Sequence, residues 1–178
     1  MGSLDVHTNS ESLMPSFETT RRIAHSAADM FALVADVEQY PKFVPLCEGL
    51  RVMKREVQAD SEVIIAYMTV AYKLFSESFT SRVRLKPADG LILVEYLDGP
   101  FRRLDNRWTF TPLSETESRV KFYLEYEFRA KPLQVLMGSV FDRAFRKFAD
   151  AFETRADEVY GKGRRARSHK PLSVDNAS

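Results

Sequence analysis

Residues 132–161 read PLQVLMGSVFDRAFRKFADAFETRADEVYG, and this stretch decides the fold. Leu133, Met137, Val140, Phe141, Ala144, Phe145, Phe148, Ala151 and Phe152 recur at helical spacing, so one broad apolar stripe runs along a helix. Pro132 occupies a first-turn position that needs no amide donor, and Gly161 stands where a terminating glycine belongs. A helix of about 28 residues, at about 1.5 Å per residue, is about 42 Å long. Its stripe must be buried against an element of comparable length.

That element lies upstream. From Leu46 to Phe128 the apolar period falls to two. Phe75, Phe79 and Val83 alternate with Ser76, Ser78, Thr80 and Arg82; Leu104, Trp108 and Phe110 alternate with Arg103, Asp105, Arg107 and Thr109. Val120, Phe122, Leu124, Tyr126 and Phe128 alternate with Lys121, Tyr123, Glu125, Glu127 and Arg129. Turn residues at Ala59-Asp60, Pro87-Ala88-Asp89-Gly90, Asp98-Gly99-Pro100 and Ser114-Glu115 divide the runs. The pattern predicts an antiparallel meander of about six strands with one wet face. Strands of about 10–13 residues span about 33–43 Å, which matches the helix. Strands that long twist and curl, and so offer the helix a concave face.

Ahead of the meander, Ser16 to Ile23 reads as a strand, and Ser26-Ala27-Ala28-Asp29 as a capping box. Met30, Phe31 and Val34 then begin a short amphipathic helix, and Pro41 ends whatever helix contains Tyr40. The chain is therefore α+β in the order β-α-α-β6-α, its sheet of six to seven strands wrapped around the final helix.

Composition narrows the partners. The 26 basic and 25 acidic side chains of the 178 residues leave a net charge of +1, which gives no general attraction for nucleic acid and argues against DNA. No run approaches the roughly 18–20 apolar residues of a membrane span. Cys47 is alone, so no internal disulfide forms, and His7, His25 and His169 are too scattered for a local zinc site. Thirteen Phe against one Trp and seven Tyr suits an apolar core or an apolar pocket. Residues 1–13 read as a disordered leader or expression remnant before Met14, and residues 14–161 as the domain. Residues 162–178 read as a basic, solvated tail containing Arg164 and Arg165. A reducing cytoplasmic setting fits.

No phosphate loop, nucleophile elbow or metal spacing is present. Cys47 has no histidine placed to activate it and reads as packing; His25 reads as a boundary residue before the Ser26 cap. Glu125 and Glu127 oppose an apolar face and should meet solvent. Glu77 shares the inward face of Phe75, Phe79 and Val83, so it needs a partner: Arg102, Arg103, Lys42, or a polar group of a ligand. Most members of the Phe-rich stripe are core, but a curved sheet around one helix tends to leave apolar space between the two.

Several blocks resemble one family. They are Tyr40-Pro41-Lys42-Phe43-Val44-Pro45-Leu46-Cys47, Phe75-Ser76-Glu77-Ser78-Phe79-Thr80-Ser81-Arg82-Val83, and Gly99-Pro100-Phe101-Arg102-Arg103-Leu104-Asp105-Asn106-Arg107-Trp108-Thr109-Phe110. Phe128-Arg129, Phe141, Phe145 and Ala151-Phe152-Glu153-Thr154-Arg155-Ala156 complete the set. Across residues 14–160 the chain resembles the coenzyme Q-binding START-like proteins of the polyketide cyclase group, which include the ribosome-association toxin A relatives. Leu46 departs from the pattern, where a Trp often precedes the Cys.

The resemblance implies a helix-grip fold, no catalytic chemistry, and binding of ubiquinone or a related polyprenyl quinone by a carrier supporting respiration and quinone biosynthesis. Together with the inward-facing pattern, it suggests a ligand set of Phe31, Val34, Tyr40, Phe43, Val44, Val70, Glu77, Phe79, Leu104, Trp108, Leu136, Val140, Phe141 and Phe145. Lys42, Phe43, Arg164 and Arg165 are the expected contacts for transient docking at the inner membrane. The alternatives are a toxin-like inhibitor bound to the large ribosomal subunit and a cyclase- or aromatase-like enzyme on the same fold.

Overall fold

Strict alternation builds the wall that everything else leans on. In the computed structural model, which describes residues 16–162, one strand runs Ser118–Phe128 with every second side chain from Val120 to Phe128 buried on one face. It belongs to a seven-stranded sheet of β1 (Ser16–Ile23), β2 (Cys47–Val57), β3 (Glu62–Tyr72), β4 (Phe75–Lys86), β5 (Leu91–Asp98), β6 (Phe101–Pro112) and β7 (Ser118–Phe128). The order across the sheet is β1-β7-β6-β5-β4-β3-β2, antiparallel throughout. The six-strand meander is as expected, and β1 returns to cap it beside β7.

The turns show which signals matter. Gly90 has φ +59, and a Cβ there would lie 2.4 Å from the Phe110 carbonyl oxygen, so only glycine fits the close approach. Gly99 has φ +138 and lies against Phe79 in the same way, a Cβ meeting the Phe79 Cβ at 2.7 Å. The β3–β4 hairpin turns on Lys73-Leu74, with Tyr72 opposite Phe75 and Lys73 at φ 54. This turn lacks the usual glycine or asparagine, which is why the sequence pattern does not reveal it.

Helix α1 (Ala27–Ala35) starts as its capping box predicts: the Asp29 amide donates to Ser26 Oγ at 3.0 Å. A 3-10 helix follows over Val37–Lys42 and contains Pro41, so the proline does not stop the chain at Tyr40. Proline's fixed φ suits a 3-10 helix, and its only loss is one amide donor.

Helix α2 (Lys131–Tyr160) has 30 residues and buries Met137, Phe141, Ala144, Phe145, Phe152 and Ala156. It packs against β1, β7 and α1. Polar contacts fix its C-terminal half: Arg21 of β1 donates to Asp150 at 2.5 Å, and His25 meets Asp157 at 2.7 Å. His25 is therefore a buried link between the α1 entrance and α2, beyond the boundary role read from sequence. The leader at 1–13, and Arg164 and Arg165 of the tail, lie outside the described residues.

Phe152 anchors this arrangement through edge-on contacts with Trp108, Phe43 and Tyr40 at centroid distances of 4.9, 5.1 and 5.5 Å. Phe152→Ala should cost about 3–5 kcal/mol in urea unfolding, as deletion of a buried ring does. Leu136→Ala, on the same helix but 66% exposed, should stay within about 0.5 kcal/mol.

Candidate functional site

Because α2 leans on β1 and β7, its inward face covers one flank of the concave sheet and leaves the other uncovered. The gap is an apolar chamber of about 130 Å³. Leu50, Ala66, Met68, Val70, Phe79, Val83, Ile92, Val94, Leu104, Trp108, Phe122 and Leu124 line it from the sheet. Val37, Tyr40, Val44, Pro45 and Leu46 close it on the side of the 3-10 helix, and Phe141, Phe145, Phe148 and Phe152 form the α2 wall. Those four phenylalanines fall at i, i+4, i+7 and i+11, one continuous line along the helix.

Polar groups on the wall are few. Tyr40 Oη donates to the Val34 carbonyl at 2.5 Å. Trp108 Nε1 donates to Asn106 Oδ1 at 3.1 Å, and Asn106 Nδ2 donates to the Tyr123 carbonyl at 2.9 Å, so the Asn106 amide is spent on structure. Ser81 and Tyr126 complete the set. Burial raises the Tyr40 phenol well above its ordinary range and pushes Tyr126 up to about 12. Among the described residues these two are the titratable groups on the wall, and both stay neutral near pH 7.

Eight of the residues expected to contact a ligand lie on the wall: Tyr40, Val44, Val70, Phe79, Leu104, Trp108, Phe141 and Phe145. Six do not. Phe31 packs edge-on against Phe110 at 5.5 Å, and Val34 is buried core. Phe43 is pinned between Phe152 and the Arg155 guanidinium, which lies 5.5 Å from its ring centroid; it is packed rather than free to meet a membrane. Lys42 beside it is exposed and donates to Gln39 at 2.6 Å. Val140 is rotated about 100° around the helix from Phe141 and is half-buried off the wall, while Leu136 points to solvent.

Glu77 is the instructive correction. Its register partner is Val70, so it does sit on the concave face, but close to the Lys73-Leu74 turn, where it is half-exposed. Water reaches it, and no ion pair forms with it among the described residues. The proposed partners are engaged elsewhere, Arg102 with Glu127 at 3.5 Å and Arg103 with Glu125 at 3.6 Å. Glu125, expected to be open to solvent, is only 15% exposed on the convex face, where it accepts from Tyr123 at 2.6 Å. Ser81 and Asn106 are wall residues outside the expected set, although each shares strand parity with an expected one, Phe79 and Trp108.

A long helix gripped by a curled antiparallel sheet around a neutral, apolar chamber defines a START-like binding fold. The chain belongs to the family described as polyketide cyclase / dehydrase and lipid transport, whose pattern matches residues 23–153. It is 36% identical over 150 residues to the ribosome association toxin RatA of Escherichia coli, an alignment spanning 84% of this chain and 92% of that protein. It is 28% identical over 162 residues to the mitochondrial coenzyme Q-binding protein COQ10 of Dictyostelium discoideum, spanning 88% of this chain and 76% of that one. An 18 kDa protein from Caulobacter crescentus, solved in solution, superposes with a TM-score of 0.69 at 34% identity, covering 83% of this chain and 99% of the other. The Zhui aromatase/cyclase from Streptomyces superposes equally well at 19% identity, covering 84% and 99%, a likeness of fold.

Cys47 lies beside the chamber, buried, with its thiol pushed up to about 11 by desolvation. In the unfolded chain the same thiol loses its proton near pH 9, so the unfolded state releases protons that the native state keeps. Stability should therefore fall as pH rises from about 9 towards 11, and Cys47→Ala should flatten part of that fall in urea midpoints. At about pH 8 the native thiol should react with a disulfide reagent at least tenfold more slowly than the urea-unfolded thiol.

Proposed function

We propose that this protein binds a polyprenyl quinone or a closely related apolar molecule in the chamber and acts as its carrier rather than as an enzyme. The observation that carries this reading is the wall itself: aliphatic and aromatic, neutral, and without an acid–base pair among its described residues. An aromatase-like reaction needs groups that give and take protons near pH 7, and two phenols held neutral by burial supply neither. The likeness to a coenzyme Q-binding protein supports the choice of ligand class.

Size sets the mode of binding. An engineered apolar cavity of about 150 Å³ takes one benzene ring, so about 130 Å³ takes about one bare ring, and a quinone's ring substituents and tail need more room. Seating the substituents requires the chamber to widen as α2 moves outward from the sheet, and seating the tail requires more of the same or leaves the tail outside. Isoprenoid carbon gains roughly 0.8 kcal/mol per CH₂ on leaving water, whether into protein or into lipid. Transfer between the two is then close to neutral, as a reversible shuttle needs.

Docking at a membrane belongs to this reading, but through other residues than Phe43. The Lys73-Leu74 turn, the β5–β6 turn and the first turns of α2 share one end of the molecule by strand direction. Leu74 there is fully exposed, and Val135 is 83% exposed, beside Lys73 and Lys131. Among the described residues, no helix is long and apolar enough to cross a bilayer. A second reading, association with ribosomes, draws on the name of the RatA relatives. Against it, three cations of the convex face are neutralised by neighbours: Arg107 by Asp105, Arg82 by Glu95 and Lys121 by Glu18.

Organic extraction and mass spectrometry of the purified protein should yield a quinone, and Leu104→Trp, which fills the chamber, should abolish its retention while the fold persists. An empty wild-type protein that co-sediments with ribosomal subunits would favour the second reading. In flotation with anionic vesicles, Leu74→Ser and Val135→Ser should weaken binding, whereas Val57→Ser, also apolar and exposed but at the other end of the sheet, should not.

A further inference from the structure

One row of the concave face carries three hydroxyl groups, Ser81, Tyr96 and Tyr126. Ser81 of β4 stands opposite Tyr96 of β5, and Leu104 of β6 opposite Tyr126 of β7. The pairing of Glu95 with Asp105 brings Tyr96 level with Leu104. Ser81, Tyr96, Leu104 and Tyr126 therefore lie side by side across four neighbouring strands, all on the inward parity.

Ser81 and Tyr126 are only 4% and 3% exposed, and both line the chamber. Neither hydroxyl makes a hydrogen bond to another described residue. Tyr96 Oη is buried with no partner among the described residues, its ring set edge-on against the chamber residue Phe101 at 5.7 Å. The other polar groups of the wall are occupied: Tyr40 by a carbonyl, Trp108 by Asn106, and Asn106 by Trp108 and a carbonyl. Burying a hydroxyl without a partner costs free energy that packing does not return. Phenylalanine at position 96 would avoid that cost, so packing alone does not account for Tyr96, and Ser81 and Tyr126 add their hydroxyls to the chamber wall in the same row.

We propose that Ser81, Tyr96 and Tyr126 form a hydrogen-bonding subsite for an oxygen-bearing ring: their hydroxyls donate to carbonyl or alkoxy oxygens while the surrounding wall takes the hydrocarbon. This deepens the reading of the chamber as an apolar-ligand site and rests on it. Three donors without a charge select neutral oxygen acceptors and leave a carboxylate or phosphate uncompensated. The subsite is a specificity device; the apolar wall supplies the general affinity.

Duroquinone and durene test it, being the same methylated ring with and without carbonyl oxygens. Trp108 is the sole tryptophan and lines the chamber, so quenching of its fluorescence reports duroquinone, and competition reports durene. Ser81→Ala, Tyr96→Phe and Tyr126→Phe should each weaken duroquinone about fivefold and leave durene unchanged. Tyr96→Phe should in addition raise the Tm of the empty protein by about 2–4 °C, since it removes a buried unpaired hydroxyl. Equal duroquinone affinity in wild type and variants, or parallel loss of both probes, overturns the subsite and leaves the apolar chamber standing. Failure of wild type to bind either probe overturns the chamber reading and the subsite with it.

Discussion

The seating of α2 on one flank of the sheet is the constraint from which the rest follows. Its phenylalanines meet β7 and β1, with Phe145 at 5.6 Å from Tyr126 and Phe148 at 6.2 Å from Phe122. Phe152, lodged against Trp108, Tyr40 and Phe43, stops the helix from rolling toward the other flank. Arg21 and His25 hold its C-terminal half from outside the chamber. A helix about 10 Å wide, so held, cannot also fill the concavity above β2–β5. The chamber is what is left over once one flank is well packed.

What surrounds that space decides its chemistry. Burial keeps the two wall phenols and the neighbouring thiol of Cys47 protonated, so no charge develops inside near neutral pH. Charges sit on the convex face, where Arg103, Arg107, Glu125 and Asp105 interleave in water-accessible pairs of modest worth. An inside of rings and a neutral row of hydroxyls suits recognition of an uncharged, oxygen-bearing molecule. The same scaffold in relatives carries names as different as ribosome association toxin, coenzyme Q-binding protein and aromatase/cyclase. Fold alone does not choose among them.

Much of this was legible before any coordinates. The period of two in Val120–Phe128 placed β7 and its buried face, the capping box placed α1, and Pro132 and Gly161 bracketed α2. Parity placed Phe79, Leu104 and Trp108 on the chamber wall, because side chains two apart on a strand share a face. The failures have equally definite causes. Val140 belongs to the broad apolar stripe, yet that stripe is wider than the chamber wall, and each helical residue turns the side chain through about 100°, which leaves Val140 and Leu136 off the line of Phe141 and Phe145. Glu77 was assigned to the correct face, but parity says nothing about distance from a solvent-exposed turn. Phe43 lay outside any period, and its packing under Arg155 depends on a residue 112 positions later.

Local rules therefore determined the elements of this protein: where each strand and helix begins, which face of each is apolar, and that the final helix must be covered by a sheet of its own length. They could do so because period, capping and turn chemistry act between residues a few positions apart. The flank on which the helix settles, the chamber on the other side, and the alignment of Ser81, Tyr96 and Tyr126 from three strands were decided only by the tertiary structure. Those features depend on how volumes separated by up to a hundred residues fit together, and on which hydrogen-bond partners that fit leaves within reach; no short-range pattern records either.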